Sequence, residues 1–225
     1  MGDFLEDQHR MFIQAFMWKK ICSAEEVRSI HRKCHEQNHV PVSDLKAFVE
    51  KINNALYLIN MTITKGTDEV TGEDYYVLTN ATDNSISRLS GEYKQNELEL
   101  FKKIITCIVE SEDGKVPSIT VLNLADEVSI SKKDAEEIVT KFSKDGWLLT
   151  DGGSIFLSTR AIAELQIFLK AHFRDIITVC FVCKNVVFQG DACGQCDKKI
   201  HHHCKRNFFS QRAREICPTC QADWQ

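Results

Sequence analysis

The sequence predicts an α+β protein in which two similar helix-and-hairpin domains precede a small cysteine-rich domain. Segments with apolar residues at helical spacing are followed by β-rich runs, and this order occurs twice. Seven of the ten cysteines lie between Cys180 and Cys220. A hydrophobic share of 43% and a charged share of 27% are ordinary for folded domains, so the 225 residues suit two or three domains.

The first domain, residues 1–92, is predicted to have three helices and a hairpin. Each helical segment has one apolar face, and Ser23 followed by Glu26 is a capping box that opens the second helix. A polar segment containing glycine separates the two β-rich runs. The predicted elements are helices over residues 3–20, from Ser23, and from Ser43 or Asp44, then strands over residues 61–64 and 75–78.

The second domain, residues 93–175, repeats this order. A periodic segment is stopped by Gly114 and Pro117, and residues 151–153, Asp-Gly-Gly, are a tight hairpin sequence. Three helices followed by a two-stranded hairpin predict a winged helix, so the chain is expected to carry two in tandem. The predicted elements are helices over residues 96–112, around 121–124 and from Ser131, then strands over residues 147–149 and 155–157.

A last helix, residues 159–172, leads into the third domain, residues 176–225. No stretch rich in glycine or proline separates them. Flexible linkers have such compositions, so we expect a packed junction here.

The third domain contains four pairs of candidate metal ligands. Thiolate and imidazole bind structural zinc tetrahedrally, and a Cys-x₂-Cys turn brings two sulfurs to one metal at about 2.3 Å. Four pairs therefore predict two zinc sites. Neighbouring pairs could share a site, or the pairs could be interleaved, and the spacing alone leaves both open. The pairs are Cys180 with Cys183, Cys193 with Cys196, His201 with Cys204, and Cys217 with Cys220.

Disulfides or buried free thiols are the alternative interpretation of these cysteines. Disulfides require an oxidising compartment, and the first ten residues have neither the basic start nor the apolar core of a secretory signal. The regular spacing favours zinc. Among the three consecutive histidines, His201 gives the His-x₂-Cys spacing, and His202 and His203 are expected to be solvated neighbours.

The ligand order, four Cys, one His and three Cys, resembles that of RING-type zinc domains. Val182 before the second ligand and Pro218 after the seventh also fit this family. PHD fingers share the order but usually carry a tryptophan where this chain has Glu215. The RING resemblance implies interleaved sites: zinc 1 with Cys180, Cys183, His201 and Cys204, and zinc 2 with Cys193, Cys196, Cys217 and Cys220.

Direct DNA binding is not expected of this chain alone. Winged helices that bind DNA neutralise phosphate with excess lysine and arginine. In the third helix of the second domain, four lysines are balanced by four acidic residues, and the first domain's third helix is balanced as well. These helices are therefore expected to be solvated or to dock proteins. No apolar run approaches the ~20 residues that cross a bilayer, so no membrane contact is expected and the chain is predicted to be soluble and intracellular.

Other candidate sites have weaker support. His31, Cys34 and His35 lie within one helical turn and His39 follows, but we expect a core cysteine beside surface histidines rather than a metal site. Cys107 is expected to be a small core residue. The sequence has no phosphate-binding loop, nucleophile elbow or pair of hydrolytic carboxylates.

The whole chain resembles the family called non-structural maintenance of chromosomes element 1, on residues 96–101, 122–124 and 152–157 together with the zinc motif. This resemblance implies a nuclear, chromosome-associated protein. It would belong to an SMC complex for DNA repair by homologous recombination, and would bind a MAGE-type subunit through its winged-helix region. A kleisin subunit would complete the subcomplex, and the chain would act as a RING-type ubiquitin ligase.

A RING ligase has no catalytic nucleophile, because it docks a charged ubiquitin-conjugating enzyme and favours a reactive geometry of the thioester. The candidate docking residues are Phe181, Val182, Phe208 and Pro218. Phe208 and Phe209 could instead form a small core between the zinc sites.

One departure bears on activity. Many active RING domains carry a basic residue after the last ligand, where this chain has Gln221. We therefore expect weak ligase activity alone and stronger activity with the MAGE-type partner. The alternative is a non-catalytic zinc scaffold that assembles the MAGE and kleisin subcomplex. A reader of histone tails is a third, less favoured interpretation.

Overall fold

The first module combines three helices with a three-stranded antiparallel sheet in the order β1-β3-β2. The computed structural model describes residues 4–82, 86, 89–212 and 214–224. The predicted helix over residues 3–20 begins at Asp7, and residues 1–3 lie outside the described part. The elements are α1 (Asp7–Lys19), β1 (Ile21–Ser23), α2 (Ala24–Gln37), α3 (Leu45–Leu56), β2 (Met61–Thr67) and β3 (Asp74–Asn80).

Side-chain caps fix where α2 and α3 begin. The Ser23 hydroxyl accepts from the Glu26 amide at 3.2 Å, and the Glu26 carboxylate accepts from the Ser23 amide at 2.9 Å, so the predicted capping box is confirmed. Asp44 accepts from the Ala47 amide at 2.9 Å and caps α3. Strand β1 has no counterpart among the predicted elements, because three residues carry no measurable alternation.

Three histidines surround Phe48 in the core of the first module. The rings of His9, His31 and His35 lie 4.4, 4.7 and 5.0 Å from the Phe48 ring. Cys34 is buried as expected, but the prediction of surface histidines is wrong for His31 and His35, which are 4% and 2% exposed. The cause is tertiary, because α1 and α3 cover this face of α2. The apolar members of this core are Phe12, Phe16, Cys22, Val27, Cys34, Phe48, Ile52, Leu56 and Ile63.

The second module repeats the arrangement, with the sheet order β4-β6-β5. Ser131 and Asp134 form the predicted capping box. Strand β4 is two residues long and has no counterpart among the predicted elements, because Gly114 and Pro117 indicate only a helix stop. The elements are α4 (Gln95–Glu110), β4 (Val116–Pro117), α5 (Ser118–Asn123), α6 (Lys132–Lys144), β5 (Leu148–Asp151), β6 (Ser154–Leu157) and α7 (Thr159–His172).

The cysteine-rich part is small and irregular. Its regular elements are β7 (Gly190–Ala192), β8 (Lys199–His201) and α8 (His202–Phe209), of which β7 and β8 pair antiparallel. It is not tethered by a free linker. Val186 and Phe188 lie in the same buried cluster as the second module's core, and Lys199 Nζ donates to the Glu112 carbonyl at 3.1 Å. The predicted packed junction is confirmed.

The first module also reaches the cysteine-rich part, through the hairpin of β2 and β3. We call residues 61–80 the first hairpin. Its Asp68 accepts a hydrogen bond from Thr159 of α7 at 2.7 Å. At Gly72, with φ +77°, a Cβ atom would lie 2.7 Å from the Cβ of His203, so only glycine allows the turn to come this close to α8.

The α+β class and the separate C-terminal cysteine-rich unit are confirmed. The winged-helix assignment remains an interpretation of the helix-and-hairpin order, and the boundaries after residues 92 and 175 remain predictions. Ile86 and Leu89 already pack in the second module's core, so the change of core comes earlier in the chain than residue 92. Within the described residues, no helix is both long enough and apolar enough to cross a membrane.

We expect acid to destabilise the first module through His9 and His31. Burial is the main cause that lowers the pKa of both imidazoles, and His9 Nδ1 and His31 Nε2 have no hydrogen-bond partner among the described residues. In the unfolded chain the pKa of each imidazole is about 6.5. The unfolded chain therefore binds protons first, and the free energy of unfolding falls as pH drops below about 6.5 towards the lowered folded values.

Chemical denaturation between about pH 7.5 and pH 5 measures this effect. His31→Leu should show a shallower pH dependence than the wild type. His39→Asn removes an exposed imidazole at a positive φ that asparagine tolerates, so it should match the wild type. If His31→Leu has the same pH dependence as the wild type, protonation of buried His31 is not a cause of the acid destabilisation.

Candidate metal centres

Two tight turns at the ends of the cysteine-rich domain present cysteine pairs in the same way. The Lys184 amide donates to the Cys180 carbonyl at 2.9 Å, and the Gln221 amide donates to the Cys217 carbonyl at 3.0 Å. Lys184 and Gln221 both have positive φ, 63° and 62°. Each turn folds back after its Cys-x₂-Cys pair, so that both sulfurs of a pair face one point.

The first donor set consists of Cys180, Cys183, His201 and Cys204, and its donor atoms lie within 4.8 Å of one another. His201 Nδ1 is 3.4 Å from Cys183 Sγ and 3.9 Å from Cys204 Sγ. His201 ends β8 and Cys204 lies in α8, so the strand and helix bring the third pair to the first turn. Cys183 is exposed and the other three residues are buried.

The second donor set consists of Cys193, Cys196, Cys217 and Cys220, also within 4.8 Å of one another. Its sulfurs lie 3.6 Å apart between Cys193 and Cys220, and 3.8 Å apart between Cys196 and Cys217. The structure therefore selects the interleaved wiring, in which the first pair joins the third and the second joins the fourth. No other such donor set occurs among the residues that the structure describes, so the histidines of α2 form none.

Both donor sets fit zinc. Ligands at about 2.3 Å from a tetrahedral centre lie roughly 3.8 Å apart, which matches the separations of the donor atoms. Each set has four protein ligands, so no coordination position stays open for water or substrate. Sites of this closed kind are structural. Two zinc ions would hold the domain together.

In each donor set the surroundings of one thiol favour thiolate, the form that binds zinc, while the pKa values of neighbouring thiols are raised. The pKa of Cys180 is held well below its ordinary value, chiefly by a hydrogen bond from the Cys183 thiol. At Cys217, desolvation raises the pKa, but hydrogen bonds from the Cys220 and Thr219 amides outweigh it and lower the pKa. Each donor set therefore contains a cysteine that loses its proton readily.

The hydrogen bonds of His201 determine which of its nitrogens faces the metal. Its Nε2 lies 3.0 Å from Glu69 Oε1 and 3.0 Å from the Val186 carbonyl oxygen, and both are acceptors. Nε2 must therefore carry the proton, which leaves the Nδ1 lone pair for zinc. Glu69 lies in the first hairpin, and sequence reasoning missed it because it precedes His201 by 132 residues.

The neighbouring histidines do not join the donor set. His202 Nδ1 lies 3.5 Å from Asp191 Oδ1. The His203 ring stacks on the His201 ring with centroids 5.0 Å apart and is only partly buried. The choice of His201 as the ligand is therefore supported by the geometry.

Phe181 and Phe208 belong largely to a small aromatic core between the two donor sets. The Phe181 ring contacts the Phe208 ring at 5.3 Å and the Trp224 ring at 5.5 Å. Phe209 is buried and contacts both Phe208 and Trp224. The alternative expectation, a small core of Phe208 and Phe209, describes Phe209 fully and the half-buried Phe208 in part.

Val182 and Pro218 remain on the surface, one in each tight turn. Val182 is 38% exposed, and Pro218 is exposed next to the ligand Cys217. The interleaved zinc sites fix both turns in one small domain. These two are therefore the accessible members of the predicted docking set, whose engagement with a conjugating enzyme stays a prediction.

Comparisons with known proteins identify the family. Residues 9–126 match the family model described as the Nse1 non-SMC component of the SMC5-6 complex, and residues 180–220 match that of a RING-like domain. A Xenopus laevis relative called non-structural maintenance of chromosomes element 1 homolog is 35% identical across 100% of this chain and 85% of that protein. The chain belongs to the Nse1 family. The resemblance inferred from the sequence motifs is thereby confirmed.

Further relatives extend this finding. The Homo sapiens protein of the same name is 31% identical over 98% of this chain and 85% of its own length. A chain from a solved structure of an Nse1-Nse3-Nse4 complex has a TM-score of 0.88 and 35% identity, and the match covers 98% of this chain and 97% of that one. The fold of this Nse1-family chain is thus shared with a solved structure over nearly its whole length.

We expect the purified chain to contain two zinc ions. Cys204→Ser should remove one and Cys196→Ser the other, because serine replaces a thiolate that closes a different tetrahedron in each case. His202→Ala, next to the ligand but outside both sets, should keep two. Elemental analysis of the desalted protein measures the content. One zinc ion in the wild type, or a loss in His202→Ala, would contradict the interleaved assignment.

Proposed function

We propose that this chain is the RING-type E3 ubiquitin ligase subunit of an SMC5-6 complex, acting in DNA repair by homologous recombination in the nucleus and on chromosomes. The observation that supports it most is the RING-like domain with two closed zinc sites on a chain of the Nse1 family. Closed zinc sites offer no chemistry of their own, so the domain must act through the surface it holds.

The partners of the proposal are the MAGE-type subunit Nse3 and the kleisin subunit Nse4. The solved structure that this chain matches is that of an Nse1-Nse3-Nse4 complex. This chain matches its counterpart over 98% of its own length with 35% identity, so the surfaces for such partners have equivalents here. The helix-and-hairpin modules are the proposed docking region, since the third helix of each carries balanced rather than basic charge.

In the proposed mechanism the chain contributes position rather than a nucleophile. The two zinc-held turns present Val182 and Pro218, on which a charged ubiquitin-conjugating enzyme would dock. Docking favours the thioester geometry that an acceptor amine attacks, which is an orientation effect. The chain itself forms no bond to ubiquitin.

Gln221 limits the activity that we propose for the chain alone. It follows the last ligand with φ 62°, and its Nε2 donates to the Pro218 carbonyl at 3.4 Å. The side chain is thus directed back to its own turn and carries no positive charge. The cationic contact of many active RING domains is therefore missing at this position, and we propose that the MAGE-type partner compensates.

A second candidate is a zinc-containing scaffold without catalysis. It is favoured by the packing of the zinc domain on both preceding modules, through Glu69 on one side and through Glu112 and Gly114 on the other. In this case the zinc domain would only make the subcomplex rigid and would not take part in ubiquitin transfer. Ubiquitin transfer distinguishes the two functions.

We expect reconstituted ubiquitin-chain formation to be weak with this chain alone and stronger when Nse3 is added. The measurement is a ubiquitination assay over a panel of conjugating enzymes, with and without the partner. Equal chain formation in both conditions would refute the stimulation. Complete inactivity with every enzyme, in an intact complex, would favour the scaffold.

We expect Val182→Ala and Pro218→Ala to reduce transfer by about tenfold or more while the partner complex still assembles. Loss of about 1.4 kcal/mol of contact free energy weakens docking tenfold. Val42→Ala is the matched control, because Val42 is 54% exposed but lies in the first module, and its transfer rate should stay normal. Normal transfer by both zinc-domain variants would contradict the proposed docking surface.

A further inference from the structure

Glu69 is a buried carboxylate at the contact between the first hairpin and the zinc domain. Its side chain is 5% exposed, although it lies in the turn that joins β2 to β3. It accepts hydrogen bonds from the Phe188 amide at 2.9 Å, the Gln189 amide at 3.1 Å and the Nε2 of His201 at 3.0 Å. A hairpin turn is normally solvated, so full burial of its carboxylate marks a specific contact.

The three donors select a carboxylate. Oε1 accepts from Phe188 and His201, and Oε2 accepts from Gln189, so both oxygens must be acceptors. Glutamine would turn its NH₂ group towards one of these donors and lose that hydrogen bond. Aspartate is one methylene shorter. The contact is therefore specific for glutamate.

The turn that carries Glu69 is also held by hydrogen bonds outside the zinc domain. Asp68 Oδ1 accepts from the Val70 and Thr71 amides at 3.0 and 2.8 Å, and Asp68 Oδ2 accepts from Thr159 of α7. Hydrogen bonds from these backbone and side-chain donors lower the pKa of Asp68 against the effect of burial, so it remains a carboxylate. The turn presents Glu69 at a fixed place, close to His203 at Gly72.

We infer that Glu69 is the positioning residue for the zinc ligand His201, so that zinc at the first site and docking of the first hairpin stabilise each other. Together with the Val186 carbonyl, the carboxylate fixes the Nε2 proton and the plane of the ring, which aims Nδ1 at Cys183 and Cys204. The coupling is reciprocal: docking of the first hairpin raises the affinity of the first site for zinc, and bound zinc raises the docking equilibrium of the hairpin by the same factor.

The second zinc site provides an internal reference. Its ligands are the cysteine pairs of residues 193–196 and 217–220. Among the described residues, Glu69 forms no hydrogen bond to any of these four cysteines, whereas it bonds a ligand of the first site directly. The coupling therefore predicts a change at one zinc site only, which a general loss of stability would not give.

The test compares zinc release from the full chain in the wild type, Glu69→Ala and Glu73→Ala, because alanine removes both acceptor oxygens whereas glutamine could keep one on His201. Glu73 lies in the same hairpin, and its exposed side chain bonds only the Tyr75 hydroxyl among the described contacts, so the control makes the same chemical change without touching the zinc domain. A chelator starts release, timed pulses of a thiol alkylating reagent label the freed cysteines, and peptide mass spectrometry assigns them to each site.

In Glu69→Ala, we expect Cys180, Cys183 and Cys204 to become reactive about 10- to 100-fold faster, the usual effect of removing an outer partner of a metal ligand. The cysteines of the second site should keep the wild-type rate, and Glu73→Ala should match the wild type at both sites. Equal acceleration at both sites, or no acceleration at the first, would overturn the inference.

The reciprocal test is His201→Cys. Cysteine keeps a fourth zinc ligand but lacks the Nε2 proton that Glu69 accepts. We expect two bound zinc ions and faster hydrogen exchange at the Phe188 and Gln189 amides, which lose a fixed acceptor. Wild-type exchange at these amides would overturn the inference. If His201→Cys fails to fold, the comparison of zinc release from the two sites decides, with the outcomes given above.

Discussion

The C-terminal domain depends on the convergence of two sets of four zinc-binding side chains. Of the eight buried core residues that the structure describes in this domain, half are cysteines, and the rest are Val187, Ile200, Phe209 and Trp224. So few apolar side chains bury little surface, whereas structural zinc in small zinc-finger peptides contributes about 10–16 kcal/mol to folding. The interleaved order makes every loop of the domain part of one connected framework. The exposed turns at Val182 and Pro218 therefore have a defined position.

The zinc domain is also part of a larger body. His201 stands between a metal site and the carboxylate of Glu69, so the same side chain belongs to the zinc domain's framework and to its contact with the first module. On another side, Phe188 packs against Gly114 of the second module. A surface offered to a conjugating enzyme would thus keep a fixed orientation relative to the modules proposed to bind the MAGE-type and kleisin partners. A rigid arrangement of the three modules is compatible both with assembly of the complex and with ligase activity.

Sequence reasoning succeeded where the determining interactions are local. Ser23, Asp44 and Ser131 cap helices within three residues of themselves, and the helices follow from apolar spacing. It failed where partners are distant. Strands β1 and β4 exist because β3 and β6 offer them hydrogen bonds, and His31 and His35 are buried because α1 and α3 cover them. The two short strands carry no periodic pattern of their own, and the two histidines, although they share a helical face with Val27 and Cys34, are of a residue type that is commonly exposed or only partly buried.

The sequence by itself determined the eight zinc ligands, their RING-like order and the family, because ligand identity and spacing are properties of short segments. Only the tertiary structure showed which ligand pairs lie together, the first with the third and the second with the fourth, and that His201 faces the metal site through Nδ1. It also revealed Glu69 as the partner of that histidine. A carboxylate 132 residues away in the chain becomes a neighbour only when three modules pack together, and no local pattern of residues records that contact.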